Sequence, residues 1–114
     1  DDMFKISGAT VYPGEVEQAL RALPGVAAAF VTNVAGTAGD EVAALVVCDT
    51  STTSSEWLRA EARKTLSAFK VPKHWLLVAA EDADEVVPRG ATGKVDARRL
   101  RDMLLTATTD VEVR

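Results

Sequence analysis

The sequence predicts an α+β domain, in which helices pack on a small mixed sheet of about three main strands and a short extended arm precedes them. Three stretches repeat apolar residues at helical spacing, and three others are short apolar runs rich in valine, alanine and leucine. A chain of 114 residues is long enough for one domain with a modest core. We assign residues 1–105 to that domain.

The arm covers residues 3–12 and turns at Ser7 and Gly8. The first helix is predicted to begin at Pro13, because the first helical turn tolerates a missing N–H, and to end at Pro24 and Gly25. Its buried face, at spacings of three and four residues, consists of Val16, Ala19, Leu20 and Leu23.

Two strands are expected at residues 26–34 and 42–48, and the Gly-containing turn between them favours a hairpin. Their near-continuous apolar runs predict a sheet that helices cover on one face. Thr53 and Glu56 form a capping-box pattern, which predicts a second helix. Its buried face would consist of Leu58, Ala62, Leu66 and Phe69, and Val71 and Pro72 would end it.

A third strand is expected at residues 74–78, followed by an acidic connector at 81–85. Asp96 is a suitable N-cap for a last helix. The inner face of that helix consists of Ala97, Leu100, Met103 and Leu104, and its outer face of Arg98, Arg99 and Arg101. Residues 106–114 have no pattern, and we expect a flexible tail there.

Composition excludes several classes of function. The net charge of −4 and a pI near 4.9 argue against a protein that binds nucleic acid along its phosphates. The single Cys48 cannot form an intrachain disulfide and indicates a reducing, cytoplasmic setting. No apolar run approaches the ~18 residues of a membrane span. His74 has no metal-ligand partner at suitable spacing, so we expect no metal site.

The chemistry of the chain is concentrated in residues 88–96, whose sequence is PRGATGKVD. Glycines allow the backbone to approach a ligand closely, and Lys94 offers one positive charge to an anion. The segment is not a P-loop, because Pro88 and Val95 stand where that motif needs Gly and Ser or Thr. Taken alone, the segment is more typical of a solvated turn lysine than of a binding site.

Together with residues 1–8 (DDMFKISG) and 11–17 (VYPGEVE), this loop resembles the C-terminal domain of the adenylate-forming enzymes, which include acyl-CoA synthetases, luciferases and peptide-synthetase adenylation domains. The resemblance implies an AMP-forming acyl-CoA synthetase, for example one for fatty acids, that converts carboxylic acid, ATP and CoA to acyl-CoA, AMP and pyrophosphate. It implies a partner, a large N-terminal domain absent from this chain, which would bind ATP, the acid and Mg²⁺. The small domain would rotate between an adenylating pose and a thiol-transfer pose, and alone it would be inactive. The chain begins without Met, which we interpret as a sign that it is part of a longer protein.

The resemblance assigns roles to individual residues. Lys94 matches the lysine that reaches the adenylating site, and Pro88, Thr92 and Gly93 would support its loop. Asp1 matches the hinge of the domain rotation. Ser7 and Gly8 match the turn that lines the path of the pantetheine thiol in the second pose.

The segment FKVPK at residues 69–73 also resembles the family pattern. There Phe69 would stack on the adenine of CoA, while Lys70 and Lys73 would contact its phosphates. Core packing is the alternative for Phe69, and Val71 stands where some CoA-using relatives carry Arg. A second departure is Arg89-Gly90, where the family often has Thr after the Pro.

Two alternatives stay open at this point. The thiol acceptor would be a carrier-protein phosphopantetheine if the enzyme loads a carrier. The domain would be a non-catalytic α+β ligand-binding module if neither motif performs chemistry. The identity of the acid would be set in the N-terminal domain.

Overall fold

The computed structural model describes residues 3–106 and the backbone of Val111–Val113. A two-stranded antiparallel arm comes first, consisting of β1 (Phe4–Ile6) and β2 (Ala9–Val11). The main sheet has the strand order β3-β4-β5-β6. Its strands are β3 (Val26–Gly36), β4 (Gly39–Cys48), β5 (His74–Ala79) and β6 (Val111–Val113).

The α-helices of the described residues are α1 (Pro13–Arg21), α2 (Ser55–Ala62), the single turn α3 (Ala83–Val86) and α4 (Ala97–Thr106). Short 3₁₀ turns occupy Ala68–Lys70 and Ala80–Asp82. None of these helices is long and apolar enough to cross a membrane. The first helix begins at Pro13, as predicted, and buries Val16 and Leu20.

Strand β3 pairs antiparallel with β4, while β5 pairs parallel with β4, so the sheet is mixed as predicted. Every residue from 42 to 48 of the central strand β4 is buried. One side of that strand packs with α1 and α2 through Val42, Ala44, Val46 and Cys48. The other side packs with α4 through Ala43, Leu45 and Val47. Helices therefore cover both faces, and the prediction of one covered face was wrong; a strand apolar at successive positions has no face left for water.

The second helix also differs from the prediction. Its N-cap is Ser54, whose Oγ accepts a hydrogen bond from the Trp57 N–H at 3.1 Å, and not Thr53. The helix ends at Ala62, where the chain tightens into turns, and Leu66 is buried from one of these turns. Phe69 lies in the following 3₁₀ turn with 40% of its surface exposed, so the core-packing alternative for this ring does not hold.

The segment expected to be a flexible tail contains regular structure at residues 111–113. Strand β6 pairs parallel with β5 and extends the main sheet by one strand. The alternating sequence Val-Glu-Val is too short to give a periodic signal, and its pairing depends on the free edge of β5.

Candidate functional site

Lys94 is carried by a small hairpin rather than by an open loop. Arg89 and Val95 form an antiparallel bridge across residues 88–96. Within it the Gly90 N–H donates to the Lys94 carbonyl at 2.8 Å, and the Gly93 N–H donates to the Gly90 carbonyl at 3.0 Å. Gly93 has a φ of +85°, a conformation that side chains rarely adopt. The tight turn directly before Lys94 therefore depends on this glycine.

The end of the hairpin is fixed to α4. Oδ1 of Asp96 accepts hydrogen bonds from the N–H groups of Arg98 and Arg99, each at 3.1 Å, which confirms Asp96 as the N-cap. The Asp96 N–H donates to the carbonyl of the buried Pro88 at 2.9 Å. The two ends of the lysine hairpin, residues 88–96, are thus joined to each other by this hydrogen bond, directly before α4 begins.

The Lys94 side chain is exposed, and no group among the described residues forms a hydrogen bond or ion pair with its ammonium. Thr92 is likewise exposed at the tip. An ammonium without a local counter-ion keeps its full charge for an external anion. The hairpin therefore presents the unpaired ammonium of Lys94 to solvent.

The arm turns through Ser7 and Gly8, whose φ values are +51° and +85°. Two successive positive values are those of a type I′ hairpin turn, which matches the twist of β1 and β2. A Cβ at Gly8 would meet nothing within 4 Å in this domain. Gly8 is therefore required here by its backbone conformation, and any limit on its bulk would come from outside this chain.

Ser7, Phe69 and Lys73 line one cavity of about 170 Å³ beside the β3–β4 turn. The structure thus brings together three residues for which the sequence predicted thiol or CoA contacts. Val71 also lines this cavity, but it is only 5% exposed and packs in the core. An arginine at position 71 would have to leave that core position.

The remaining lysine of the predicted CoA surface has a different partner. Lys70 Nζ lies 2.9 Å from Oε1 and 3.0 Å from Oε2 of Glu15 in the first turn of α1. The ammonium also lies 5.7 Å from the centroid of the Phe69 ring. Lys70 therefore ties its 3₁₀ turn to α1, while Lys73 stands at the cavity with 70% of its side chain exposed.

Acidic side chains also line this cavity. Glu41 and Asp40 come from the start of β4. Oε1 of Glu41 lies 2.7 Å from Nε2 of His74, and Oε2 lies 3.9 Å from Lys73 Nζ. Sequence reasoning missed these carboxylates, because the contacts join residues about 30 positions apart and no local pattern marks them.

The start of α4, directly after the lysine hairpin, borders a different surface, a groove of about 1030 Å³ along the edge strand β3. Val95 and Arg101 line it on one side, and Glu17 of α1 lines it on the other. Glu17 Oε2 accepts the Val31 N–H at 2.9 Å. Burial raises the pKa of Glu17, while this hydrogen bond and the positive charge of Arg21 act in the opposite direction.

Sequence reasoning also missed the contacts of Arg89. Its Nη1 donates to the Gly93 carbonyl at 3.0 Å, and its guanidinium lies 5.9 Å from the centroid of the Phe30 ring.

Asp1, the predicted hinge, lies outside the described residues. No group of three or more His, Cys, Asp or Glu side chains in the described part of the chain is placed to hold a metal ion.

Known proteins resemble this chain over most of its length. It is 40% identical over 109 residues to the 3-hydroxybenzoate–CoA/4-hydroxybenzoate–CoA ligase of Thauera aromatica. The aligned region covers 91% of this chain and 20% of the ligase. It is 34% identical over 105 residues to the phenyloxazoline synthase MbtB of Mycobacterium tuberculosis, covering 91% of this chain and 7% of that protein. The chain thus spans about a fifth of the length of the first relative.

A solved structure is similar as well. The Mycobacterium tuberculosis fatty acyl CoA synthetase superposes with a TM-score of 0.75 at 31% identity, covering 90% of this chain and 19% of that one. Residues 15–101 match the family described as AMP-binding enzyme C-terminal domain. That match and the identities above show that the chain belongs to the AMP-binding enzyme C-terminal domain family.

Proposed function

We propose that this chain is the mobile C-terminal domain of an AMP-forming acyl-CoA synthetase, which joins a carboxylic acid to CoA at the expense of ATP. Lys94 is the catalytic residue of the first step, in which the carboxylate of the acid attacks the α-phosphate of ATP to give acyl-AMP, and pyrophosphate leaves. Two anions meet in that step, and a cation ~4 Å away contributes roughly 4 kcal/mol at an effective dielectric near 20. The absence of a local partner for Lys94 among the described residues is the observation that supports this role.

The arrangement of the two surfaces supports a rotation. Residues flanking Lys94 border the groove along β3, while Ser7, Phe69 and Lys73 border the smaller cavity. With the lysine hairpin facing the catalytic centre, the domain adenylates; with the Ser7-Gly8 turn facing it, the domain admits the thiol. Asp1 is the hinge in this proposal. Mg²⁺ would accompany ATP on the N-terminal domain, as the family resemblance implies.

For the second step we propose CoA as the acceptor. Phe69 offers an exposed ring for the adenine, and Lys73 offers an exposed ammonium for a phosphate beside it. Lys70 is committed to Glu15 and contributes by holding the Phe69 turn in place. This refines the CoA surface to Phe69 and Lys73.

A carrier-borne phosphopantetheine is a second candidate acceptor, and the charge of the cavity favours it. Among the described residues that line the cavity, Asp40 and Glu41 are acidic and Lys73 is the one cation. Position 71 is occupied by the buried Val71. A nucleotide brings several phosphates to this surface, whereas a carrier-borne arm brings no adenine and no 3′-phosphate. Similarity to MbtB is compatible with either acceptor.

A comparison of acceptors with the full-length polypeptide tests the proposal. It should form acyl-AMP and pyrophosphate from ATP with one class of acid. It should then transfer the acyl group to CoA, with release of AMP, faster than to pantetheine at equal concentration. Domain 1–114 alone should form no acyl-AMP. Adenylation by that domain alone would contradict the two-domain mechanism, and equal rates with CoA and pantetheine would favour the carrier-borne acceptor.

A further inference from the structure

We propose that Arg89 is a positioning residue for the lysine hairpin, and that it aligns Lys94 for acyl-AMP formation without touching substrate. This inference rests on the proposed function of Lys94. Arg89 is exposed, and its side chain crosses the hairpin to the residue directly before Lys94.

The contacts of Arg89 join three parts of the domain. Nη1 crosses the hairpin and donates to the carbonyl of Gly93, the residue immediately before Lys94, at 3.0 Å. The guanidinium lies 5.9 Å from the ring centroid of Phe30 on β3. Its own carbonyl accepts a hydrogen bond from Nη1 of Arg99 on α4 at 3.3 Å. The Arg89 side chain thus connects the turn before Lys94 with the sheet, and its main-chain carbonyl connects the same residue with the last helix.

The hairpin needs such an anchor because its own sequence is permissive. Gly90 has no side chain, and a Cβ there would meet only the Lys94 carbonyl, at the ordinary contact distance of 3.8 Å. Unlike Gly93, Gly90 has no positive φ. Its glycine is thus not required by the fold, and its presence widens the conformations open to the unfolded hairpin.

Lys94 has no partner of its own among the described residues, so within this domain only the hairpin backbone sets the point and direction from which its flexible side chain starts. A displacement of about 1 Å in a catalytic group can reduce a rate by orders of magnitude. Loss of one exposed charged hydrogen bond should displace the hairpin by less than that distance on average. We therefore expect an intermediate effect on adenylation when the anchor is removed.

Arg89→Ala in the full-length polypeptide should lower kcat for acyl-AMP formation by about tenfold, equivalent to one hydrogen bond of the stronger kind. KM for ATP should stay the same, because Arg89 does not touch substrate. Transfer of the acyl group from supplied acyl-AMP to CoA should change by less than about twofold. Arg98→Ala removes an equal charge from an exposed side chain of α4 and is the matched control, expected to leave both steps unchanged.

A second substitution separates positioning from charge. In Arg89→Ala/Gly90→Ala, the added Cβ restricts the hairpin without restoring the cation, and part of the lost kcat should return. Hydrogen exchange of the peptide covering residues 88–96 should accelerate in Arg89→Ala and slow again in the double variant. A rate defect that Gly90→Ala does not relieve, with unchanged exchange, would show that Arg89 acts through its charge and would overturn the proposal.

Failure of this inference is distinguishable from failure of the proposed function. If Lys94→Ala abolishes adenylation while Arg89→Ala matches Arg98→Ala, only the positioning role is lost. If Lys94→Ala leaves adenylation intact, the catalytic role of Lys94 fails and the positioning role fails with it.

Discussion

The lysine hairpin and the cavity around Phe69 differ in whether carboxylates lie close to their lysines. Lys94 has no carboxylate within ion-pair distance in the described structure, and the backbone around it is held by hydrogen bonds within the hairpin. In the cavity region, Lys70 is paired with Glu15, and Lys73 lies 3.9 Å from Glu41. Of the three lysines in these two regions, Lys94 is therefore fully available, whereas Lys70 and Lys73 are partly neutralised by carboxylates.

This difference indicates how much each region can contribute. An unpaired ammonium that enters a water-poor site acts at close to its full electrostatic value. Exposed lysines that already face carboxylates gain less from a phosphate, because the new ion pair replaces an existing one and salt screens both. The hairpin should therefore control the rate of a chemical step, while the cavity adjusts the affinity for an acceptor.

The sharpest test of this comparison is Lys94→Ala in the full-length polypeptide. Loss of ~4 kcal/mol of charge stabilisation corresponds to roughly a thousandfold lower rate of acyl-AMP formation. Pyrophosphate release in the presence of acid and ATP measures that step. Transfer from supplied acyl-AMP to CoA should be nearly unchanged, because the hairpin faces away in the thiol-transfer pose.

Equal losses in both half-reactions would break the comparison, since they would mark Lys94 as structural. Thermal unfolding of the variant provides the control. Because the side chain is exposed and unpaired, Lys94→Ala should leave the melting temperature of the domain within about 1 °C, the usual range for such surface changes.

A smaller effect is expected at the cavity. Lys73→Ala should raise KM for CoA by about threefold to fivefold, because one exposed ion pair is worth less than about 1 kcal/mol. The effect should shrink as salt is added, and acyl-AMP formation should not change. Lys64→Ala is a matched control, since Lys64 is also exposed and also pairs with a glutamate, Glu61, but does not line the cavity.

An unchanged KM for CoA in Lys73→Ala would remove the nucleotide from this surface and favour a carrier-borne thiol. A rise in KM for CoA as large as the rate loss expected for Lys94→Ala would also contradict the proposed difference between the two regions. It would mean that Glu41, at 3.9 Å, does not neutralise Lys73 in the bound state.

Local patterns predicted the parts of the fold that depend on local physics. Pro13 and the spacing of Val16 and Leu20 fixed α1, and Asp96 fixed the start of α4. Phe69 was wrongly placed on a helical face, because spacing alone does not show that α2 stops at Ala62 and continues as turns.

Long-range pairing escaped prediction for a different reason. Strand β6 forms by pairing with β5, and α4 packs on the second face of the sheet because β4 is apolar on both sides. In the candidate site, sequence motifs pointed to Lys94 and Ser7 one by one. The carboxylates that neutralise Lys70 and Lys73, and the crossing of Arg89 to Gly93, depend on folding and leave no mark at fixed spacing.

The smallest expected effect concerns Glu17, a carboxylate that lines the groove along β3 across from Val95 and accepts a hydrogen bond from the Val31 N–H. Burial raises its pKa above the ordinary value of 4.5, so the folded chain binds the proton more tightly than the unfolded chain does. The stability this provides is present below about pH 4.5 and is lost as the pH rises through the raised pKa.

Glu17→Gln should therefore increase the free energy of unfolding of the domain at pH 7 by no more than about 1 kcal/mol, because the amide oxygen still accepts from Val31 and no charge is buried. Denaturant unfolding from pH 4 to pH 8 measures this, and the curve of the variant should be flatter than that of the parent. The exposed Glu56 of α2 provides the control, and Glu56→Gln should not flatten the curve. In the full-length polypeptide Glu17→Gln should not change acyl-AMP formation, since Glu17 serves the sheet edge and not Lys94. A faster or slower adenylation step in this variant would show that Glu17 does influence Lys94, and the contrast between an unpaired lysine and two neutralised ones would then fail.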